Sequence, residues 1–199
     1  MFFEEGNLYH IFNQGNNREK IFFSRDNYIF FLEKIKKYII PHADIIAWCL
    51  MPNHFHLMVY VLGEENSTHT MTSSHRMSNN HIKMNKLSES LAIMLRSYTR
   101  AINVQENRSG SLFKAHTKSE CLTQLQGTSP STYETQIPIY LPEKEYPQIC
   151  FNYIHDNPVA ARLVKQSEDW EFSSYRDYYG LRNGKLVSKE RMKEFAITL

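Results

Sequence analysis

Two short apolar runs, at residues 44–51 and 54–62, are separated only by Pro52 and Asn53. Both runs are rich in aliphatic and aromatic residues, and each has the length of a strand rather than that of an ordinary helix. A two-residue connection between such runs indicates a β-hairpin. The chain is therefore expected to build an antiparallel sheet around this hairpin, which limits it to fold classes that contain one.

The second strand of the hairpin carries two histidines at alternate positions. Because successive side chains of a strand point to opposite faces, His54 and His56 share a face, about 6.6 Å apart at roughly 3.3 Å per residue. Phe55 and Leu57 take the other face and would contribute to a core. Two imidazoles on one face form either a polar surface or part of a divalent-metal site. Tight pairing of the hairpin sets Cys49 beside His56 as a further candidate ligand.

The segments on either side of the hairpin indicate two more strands and two helices. Residues 8–12 read as a strand followed by turn-forming residues. Ser24 is a suitable N-cap for a helix over about 25–40, which a proline ends. After the hairpin, apolar spacing predicts a helix over 87–103 and then a strand near 114–122.

The last third of the chain indicates further helices. Pro147 fits the first turn of a helix over about 148–156. Asn157 and Pro158 are expected to stop that helix, because a proline disfavours helical backbone in the residue before it. Another helical piece is predicted near 159–164, followed by a polar tail.

The composition fits one domain over residues 1–199, with its core at about 8–180. Aromatic residues make up 13% of the chain, which is too many for a disordered chain and enough to supply a sizeable core. Two polar or proline-containing stretches, at about 63–86 and 123–146, show no periodicity and are expected to be mobile segments.

The charge is unevenly distributed. Residues 76–118 contain 8 basic and 2 acidic side chains, a net charge of +6, whereas the whole chain has a formal net charge of +2. Such a stretch is typical of a surface that meets a polyanion, and equally of an ordinary solvated surface.

Cysteine spacing and hydropathy limit the setting of the protein. The three cysteines are far apart in the sequence, which argues against a disulfide framework and a Cys-x-x-Cys metal site. The longest apolar runs are well short of the roughly 18 residues that span a membrane, and the first residues do not resemble a signal peptide. We therefore expect no membrane association and a cytoplasmic location.

A second group of polar side chains lies about a hundred residues after the two histidines. If the predicted helix includes them, Tyr153 and Asn157 lie one turn apart on the same face, whereas Cys150 and Ile154 point elsewhere, toward a core. A phenol is a known covalent nucleophile and an amide oxygen is a metal ligand. A partly buried tyrosine beside a helix-stopping Asn-Pro pair is the alternative interpretation.

Several blocks, in order along the chain, resemble the single-tyrosine HUH transposases of the REP-associated (RAYT-like) branch. The blocks are Asn13–Arg18, Trp48–Leu57, Ser97–Asn103, Gly110–Phe113, Tyr153–Val159 and Trp170–Tyr175. A His-x-His pair is a weak signal alone, whereas the ordered set is specific. The resemblance covers about residues 8–180, with gaps at the two irregular stretches.

The resemblance implies a fold and a reaction. The fold is α+β, with a ferredoxin-like or RRM-like antiparallel sheet flanked by helices and a helical C-terminal extension. The reaction is metal-dependent cleavage and rejoining of single-stranded DNA through a 5′-phosphotyrosine intermediate. Such a diester conserves the energy of the broken bond, so no ATP is required, which agrees with the lack of a Walker-type glycine loop.

The resemblance also assigns roles to residues. Tyr153 is the expected nucleophile, and His54, His56 and Asn157 are the expected metal ligands, with Mg²⁺ or Mn²⁺ as the cofactor. Manganese accepts nitrogen ligands more readily than magnesium, which is the more abundant ion in cells.

Other candidate residues have weaker claims to these roles. The rival nucleophile Tyr98 lies on the apolar side of its helix and is followed four residues later by Ile102, which cannot bind a metal. It is expected in the core or stacked on DNA. His155 is expected on the surface or behind the ligands, and no motif supports His10.

Contacts with the nucleic acid are expected on the basic stretch, with arginines and lysines on phosphates and one aromatic ring stacked on a base. The candidates are Arg96, Arg100, Arg108, Lys114, Lys118 and, for stacking, Phe113. The segment 114–118 is less basic than the resemblance would suggest. The block 170–175 is expected to pack the C-terminal segment onto the domain.

Three alternatives share these sequence features. The chain could be a non-catalytic regulator that binds hairpin DNA or RNA, or a phosphodiesterase that uses water and forms no covalent intermediate. Replication initiators and relaxases share the histidine pair but not the ordered blocks. The expected partner is hairpin-forming single-stranded DNA, with the protein associated with the nucleoid. Both a monomer and a homodimer remain open.

Overall fold

The computed structural model of the chain describes residues 1–63, 86–123 and 145–199. The segments predicted to be mobile, 63–86 and 123–146, lie outside the described residues except at their ends.

The described residues contain a four-stranded antiparallel sheet with the strand order β2-β3-β1-β4. The strands are β1 (Leu8–Gln14), β2 (Ala43–Met51), β3 (His54–Val61) and β4 (Lys118–Cys121). The predicted hairpin is β2–β3, and its register sets Leu50 opposite Phe55 and Cys49 opposite His56, as tight pairing requires. The central strands are β3 and β1, so the histidine strand is hydrogen-bonded on both sides.

Five helices accompany the sheet in the described part of the chain. They are α1 (Arg25–Tyr38), α2 (Lys86–Gln105), α3 (Tyr146–Ala160), α4 (Tyr175–Tyr178) and α5 (Lys189–Glu194). The order β1-α1-β2-β3-α2-β4 with this sheet is the ferredoxin-like arrangement that the sequence predicts. The two short helices α4 and α5 belong to the C-terminal extension. None of these helices is long and apolar enough to cross a membrane.

One face of the sheet is covered by α1 and α2 and is apolar. Phe55, Leu57 and Val59 point into it from β3, and Phe31 and Tyr98 reach it from the two helices. Burial of a large apolar side chain contributes about 1.5–3 kcal/mol, so this face supplies much of the stability of the fold. Buried side chains also occur outside residues 8–180, where Phe3, Met192 and Ile197 join the two cores.

The other face of the sheet is covered by α3. Met58 and Cys49 point toward Cys150 and Ile154 of this helix and form a second, smaller core. The two histidines of β3 lie on this same face, beyond the apolar residues. α3 thus attaches itself to the sheet through its apolar side and brings its polar side to the histidines.

α3 is longer than the sequence predicts. Asn157 and Pro158 do not stop it, and it continues to Ala160. The prediction of a separate helical piece at 159–164 is therefore wrong. The proline ring is buried, and the Ala161 N–H still bonds to the Asn157 carbonyl at 2.9 Å. Since the proline lies close to the C-terminal end, it removes one hydrogen bond without interrupting the helix axis.

The segment 170–175 packs along β2, as predicted. The Trp170 indole donates to the Leu50 carbonyl at 3.1 Å, and the Leu50 N–H donates to the Phe172 carbonyl at 2.9 Å. Ser174 accepts a hydrogen bond from the Trp48 N–H at 2.9 Å. These contacts hold the C-terminal residues against the edge of the sheet.

Candidate active site

Helix α3, which carries Tyr153, lies across the face of the sheet on which His54 and His56 are found. Tyr153 is half-buried, and its ring centroid lies 5.4 Å from that of His56 in an edge-to-face arrangement. Asn157, one turn later, faces His54. The structure therefore brings together the four side chains that the sequence singles out, from two segments separated by about a hundred residues.

The tautomer of His54 follows from its hydrogen bonds. Its Nδ1 lies 2.6 Å from Oδ1 of Asn53, whose own Nδ2 donates to the Arg18 carbonyl at 3.2 Å. Because that donation fixes the amide, its oxygen is the atom that faces the ring, and Nδ1 must carry the hydrogen. His54 Nε2 faces α3, and in the neutral ring it carries the lone pair.

The turn that holds Asn53 depends on a glycine. The Gly15 N–H donates to the Asn53 carbonyl at 2.8 Å. A Cβ atom on Gly15 would lie 2.2 Å from the Glu19 carbonyl oxygen, so no larger residue fits this close backbone approach. The sequence block 13–18 thereby supports the histidine pair.

Asn157 turns its carbonyl oxygen toward His54. Its Nδ2 donates to the backbone carbonyl of Tyr153 at 3.2 Å, which leaves Oδ1 at 3.4 Å from His54 Nε2. An amide oxygen has no hydrogen to donate, and in a neutral His54 ring the nitrogen that faces it carries a lone pair. With a neutral His54 ring, two electron-pair donors face each other, and a shared cation would stabilise that arrangement, whereas an imidazolium would donate from Nε2 to Oδ1.

His56 is fully buried and is paired with a residue that no sequence motif supported. Its Nδ1 lies 2.9 Å from Nε2 of His10 on β1, and both rings are 1% exposed or less. Among the described residues, His56 Nε2 is buried with no hydrogen-bond partner. The signal for His10 was its position in the first predicted strand, but its closeness to His56 depends on the β1–β3 register, which the sequence does not reveal.

These residues fit a divalent cation. His54 Nε2, His56 Nε2 and Asn157 Oδ1 form a set of two nitrogens and one oxygen, and the unpartnered His56 Nε2 is the observation that favours a ligand there. Among the described residues, no group of three or more His, Cys, Asp or Glu side chains is arranged to hold a metal ion. The candidate site therefore requires the amide of Asn157, and Cys49, which lies opposite His56, packs in the second core.

The electrostatics of the site follow from burial. Burial lowers the pKa of His10 to about 3. Burial also lowers the pKa of His56 well below its ordinary value, and the neighbouring His10 and His54 lower it further. Both imidazoles are therefore uncharged near neutral pH, which is the form that binds metals. Burial also raises the pKa of Tyr153, and a hydrogen bond with the Asn157 side chain partly opposes this. The Tyr153 phenol needs a nearby positive group to ionise.

Phe12 and Lys118 extend the site toward the edge of the sheet. The Phe12 ring stacks on His10, with centroids 4.7 Å apart, and on His56, with centroids 5.7 Å apart. Lys118 lies opposite Phe12 on β4, and its Nζ is 5.8 Å from the Phe12 ring centroid. Because cross-strand partners point to the same face, Lys118 lies on the Tyr153 side of the sheet.

The other four basic candidates lie elsewhere. Arg96 and Arg100 on α2, together with Arg108 and Lys114, line a groove of about 1010 Å³ between this helix and the segment 111–117. Arg108 also forms an ion pair with Glu19 at 3.4 Å. Since α2 covers the apolar face, this groove and Tyr153 lie on opposite sides of the sheet.

The structure does not favour the expected stacking role of Phe113, and it excludes the surface alternative for His155. Phe113 is 5% exposed and packs against Phe55 and Tyr98, so its ring is not free to stack on a base. His155 is not on the surface but buried, with Nε2 2.7 Å from the Ser174 hydroxyl, because α3 turns this side toward the C-terminal segment.

Tyr98, the rival nucleophile, was expected either in the core or stacked on DNA, and it lies in the core. It is fully buried on the face opposite the histidines and donates to the Ile21 carbonyl at 2.8 Å. Burial raises the pKa of its phenol. No imidazole of the site lies on its side of the sheet.

No protein-family model matches the chain, and no curated protein matches it. Among solved structures, the chain is similar to a REP-associated tyrosine transposase bound to a REP hairpin, with a TM-score of 0.56. The sequence identity is 18%, and the alignment covers 92% of this chain and 86% of that chain. A likeness at this identity shows the α+β fold, a four-stranded antiparallel sheet flanked by helices, and confirms that part of the prediction.

Proposed function

We propose that this protein is a metal-dependent endonuclease and strand transferase of single-stranded DNA, a transposase that acts through a covalent bond between Tyr153 and a 5′ phosphate. The observation that carries the proposal is the meeting of a half-buried phenol with His54 Nε2, Asn157 Oδ1 and the buried His56 Nε2, which has no hydrogen-bond partner among the described residues.

His54, His56 and Asn157 would hold a Mg²⁺ or Mn²⁺ ion. When bound, the ion would neutralise phosphate charge and favour the ionised phenol. The protein supplies the rigid part of this arrangement. Asn53 and the Tyr153 carbonyl each fix one ligand by a hydrogen bond, so little reorganisation is needed when a phosphate arrives.

Tyr153 would act as the nucleophile toward a phosphate at this site. In the proposed step its oxygen forms a bond to phosphorus while the bond from phosphorus to the 3′ oxygen breaks. The phenol proton is lost, and the departing oxygen takes up a proton to become a 3′ hydroxyl. Attack by another 3′ hydroxyl on the phosphotyrosine reverses these changes and joins two strands without ATP.

The basic groove on α2 would bind the nucleic acid away from the reacting phosphate. Arg96 and Arg100 are exposed, one turn apart, and line the groove with Lys114. Its charge suits a sugar-phosphate backbone. The structural neighbour is bound to a REP hairpin, which supports a hairpin-forming strand as the substrate class. Lys118 would contact phosphate on the Tyr153 side.

The experiment that tests this function is a search for the covalent product. The protein is incubated with labelled hairpin-bearing single strands and Mn²⁺, then denatured and separated by size. We expect a labelled protein–DNA adduct that Tyr153→Phe abolishes. Tyr98→Phe is the matched control, because it makes the same substitution on the opposite face of the sheet. We expect this variant to form the adduct.

The other outcomes identify the alternatives. An adduct that survives in Tyr153→Phe and disappears in Tyr98→Phe would transfer the nucleophile to the other face. Cleavage without any adduct would indicate a phosphodiesterase that uses water. Tight binding of the hairpin with no cleavage under either metal would indicate a regulator.

A further inference from the structure

His10 is a buried polar residue that the proposed reaction does not use. It lies at the centre of β1, fully buried, with Nε2 2.9 Å from Nδ1 of His56. Its ring stacks on Phe12 on one side and on His56, with centroids 5.1 Å apart. A buried imidazole costs free energy unless it is hydrogen-bonded. Nε2 of His10 bonds to a candidate metal ligand, whereas its Nδ1 is buried with no hydrogen-bond partner among the described residues.

The His10–His56 contact has two forms that differ in consequence. If His10 Nε2 carries the hydrogen, it donates to His56 Nδ1, and the neutral His56 then carries its own hydrogen on Nε2. If His56 Nδ1 carries the hydrogen, it donates to His10, and His56 Nε2 has a lone pair. Only the second form allows His56 to bind a metal through the nitrogen that faces Tyr153 and His54.

The other candidate histidine ligand, His54, shows how a hydrogen bond to Nδ1 can select the tautomer of the ring. The Asn53 oxygen accepts from His54 Nδ1 and leaves Nε2 as the ligand atom. His10 Nε2 occupies the equivalent place beside Nδ1 of His56. Both ligands would then be oriented from behind, through Nδ1, which is the arrangement usual for metal-bound histidines.

We propose that His10 is a positioning residue that accepts a hydrogen bond from His56 Nδ1 and so keeps His56 in the tautomer and orientation that bind the metal. This inference rests on the proposed metal site and adds a residue to it. His10 does not touch the metal or the DNA and acts through His56.

The test compares three variants in the absence of DNA. Mn²⁺ affinity is measured by calorimetric titration of wild-type protein, His10→Leu and His10→Gln. His10→Leu removes the acceptor while filling most of the buried space, and we expect it to weaken Mn²⁺ binding about 10- to 100-fold. His10→Gln supplies an amide oxygen in place of Nε2, as Asn53 does for His54, and we expect it to restore most of the affinity.

A second measurement reports the tautomer itself. Long-range proton–nitrogen NMR spectra of the metal-free wild-type protein are expected to show His56 protonated at Nδ1. In His10→Leu this preference is expected to be lost. A purely structural role for His10 would lower stability in both variants alike and would leave the tautomer of His56 unchanged.

His155→Gln is the control for loss of a buried imidazole. His155 is bonded to Ser174 and not to a candidate ligand, so its replacement should lower the urea midpoint without weakening Mn²⁺ binding beyond about twofold.

The outcomes separate this inference from the proposed function. If wild-type protein binds Mn²⁺, and His54→Ala loses it while His10→Leu keeps full affinity, the role of His10 is wrong and the metal site stands. Protonation of His56 at Nε2 in the metal-free protein would also overturn the role of His10. If wild-type protein does not bind Mn²⁺ at all, both the metal site and the role of His10 are wrong.

Discussion

The two faces of the sheet are built from the same strands but by different rules. The face under α1 and α2 is filled by rings and aliphatic chains such as Phe55 and Leu57. The face under α3 has a small apolar core around Met58 and Ile154. Beyond this core lie the buried imidazoles of His10 and His56 and the half-buried phenol of Tyr153. One face is organised by burial of apolar area, the other by directional hydrogen bonds.

The difference teaches where stability and chemistry reside. A buried imidazole contributes less to stability than a buried ring of similar size, because its polar atoms must be satisfied. Among the described residues, His56 Nε2 has no hydrogen-bond partner. Burial of apolar side chains on the other face offsets the free-energy cost of that buried polar atom. Substitutions on the first face should therefore change folding, and those on the second should change ligand binding.

The largest effect is expected from the apolar face. Phe55→Ala removes a fully buried ring that contacts Phe31 and Phe113 and should lower the free energy of unfolding by about 3–5 kcal/mol. Urea titration followed by circular dichroism measures this. A loss below about 1 kcal/mol would mean that the two faces do not differ as described.

Removal of a candidate metal ligand on the face under α3 should strongly weaken metal binding and barely change the free energy of unfolding. His54→Ala should weaken Mn²⁺ binding at least tenfold, since it removes one of three candidate ligands, while the unfolding free energy changes by no more than about 1 kcal/mol. Calorimetry and urea titration give the two numbers. His116→Ala, an exposed histidine in the basic groove, is the matched control and should change neither.

A smaller effect is expected when the buried hydroxyl of Tyr98 is removed. Tyr98→Phe takes away the hydrogen bond to the Ile21 carbonyl, and we expect a loss of about 1–2 kcal/mol in unfolding free energy. Adduct formation measured at a temperature at which the variant is folded should be unchanged. Loss of the adduct without loss of stability would contradict the separation of the two faces.

The smallest effect is expected in the groove. Arg100→Gln removes one exposed charge and should weaken hairpin binding several-fold. It should also lower the slope of log affinity against log salt by about 0.7, if one contact to a single-stranded phosphate is lost. Fluorescence anisotropy over a series of salt concentrations measures the slope. Lys37→Gln, an exposed change on α1 outside the groove, should leave it unaltered.

Much of the fold was predictable because its signals are local. The Pro52-Asn53 turn, the alternation along β3 and the helical spacing of α1 and α2 depend on residues a few positions apart. The errors have equally local causes. Pro158 predicts a helix end, but α3 continues past it to Ala160 because a proline near the C-terminal end removes only one hydrogen bond.

The site was predictable only in part. The shared face of His54 and His56 follows from strand geometry, and that of Tyr153 and Asn157 follows from helix geometry. His10 could not be chosen, because its partner is 46 residues away and is reached only through the β1–β3 pairing. The burial of Phe113, and the separation of Lys118 from Arg96 and Arg100, likewise depend on which side of the sheet each segment crosses.

The amino-acid order alone determined which side chains can act together within one strand or one turn of helix, since the backbone repeats fix these directions. Only the tertiary structure decided that α3 lies over the histidines, that Asn53 and His10 stand behind them, and that the basic groove lies on the far side. These choices depend on the packing of segments distant in sequence, where apolar contacts select the face and hydrogen bonds then orient each polar group.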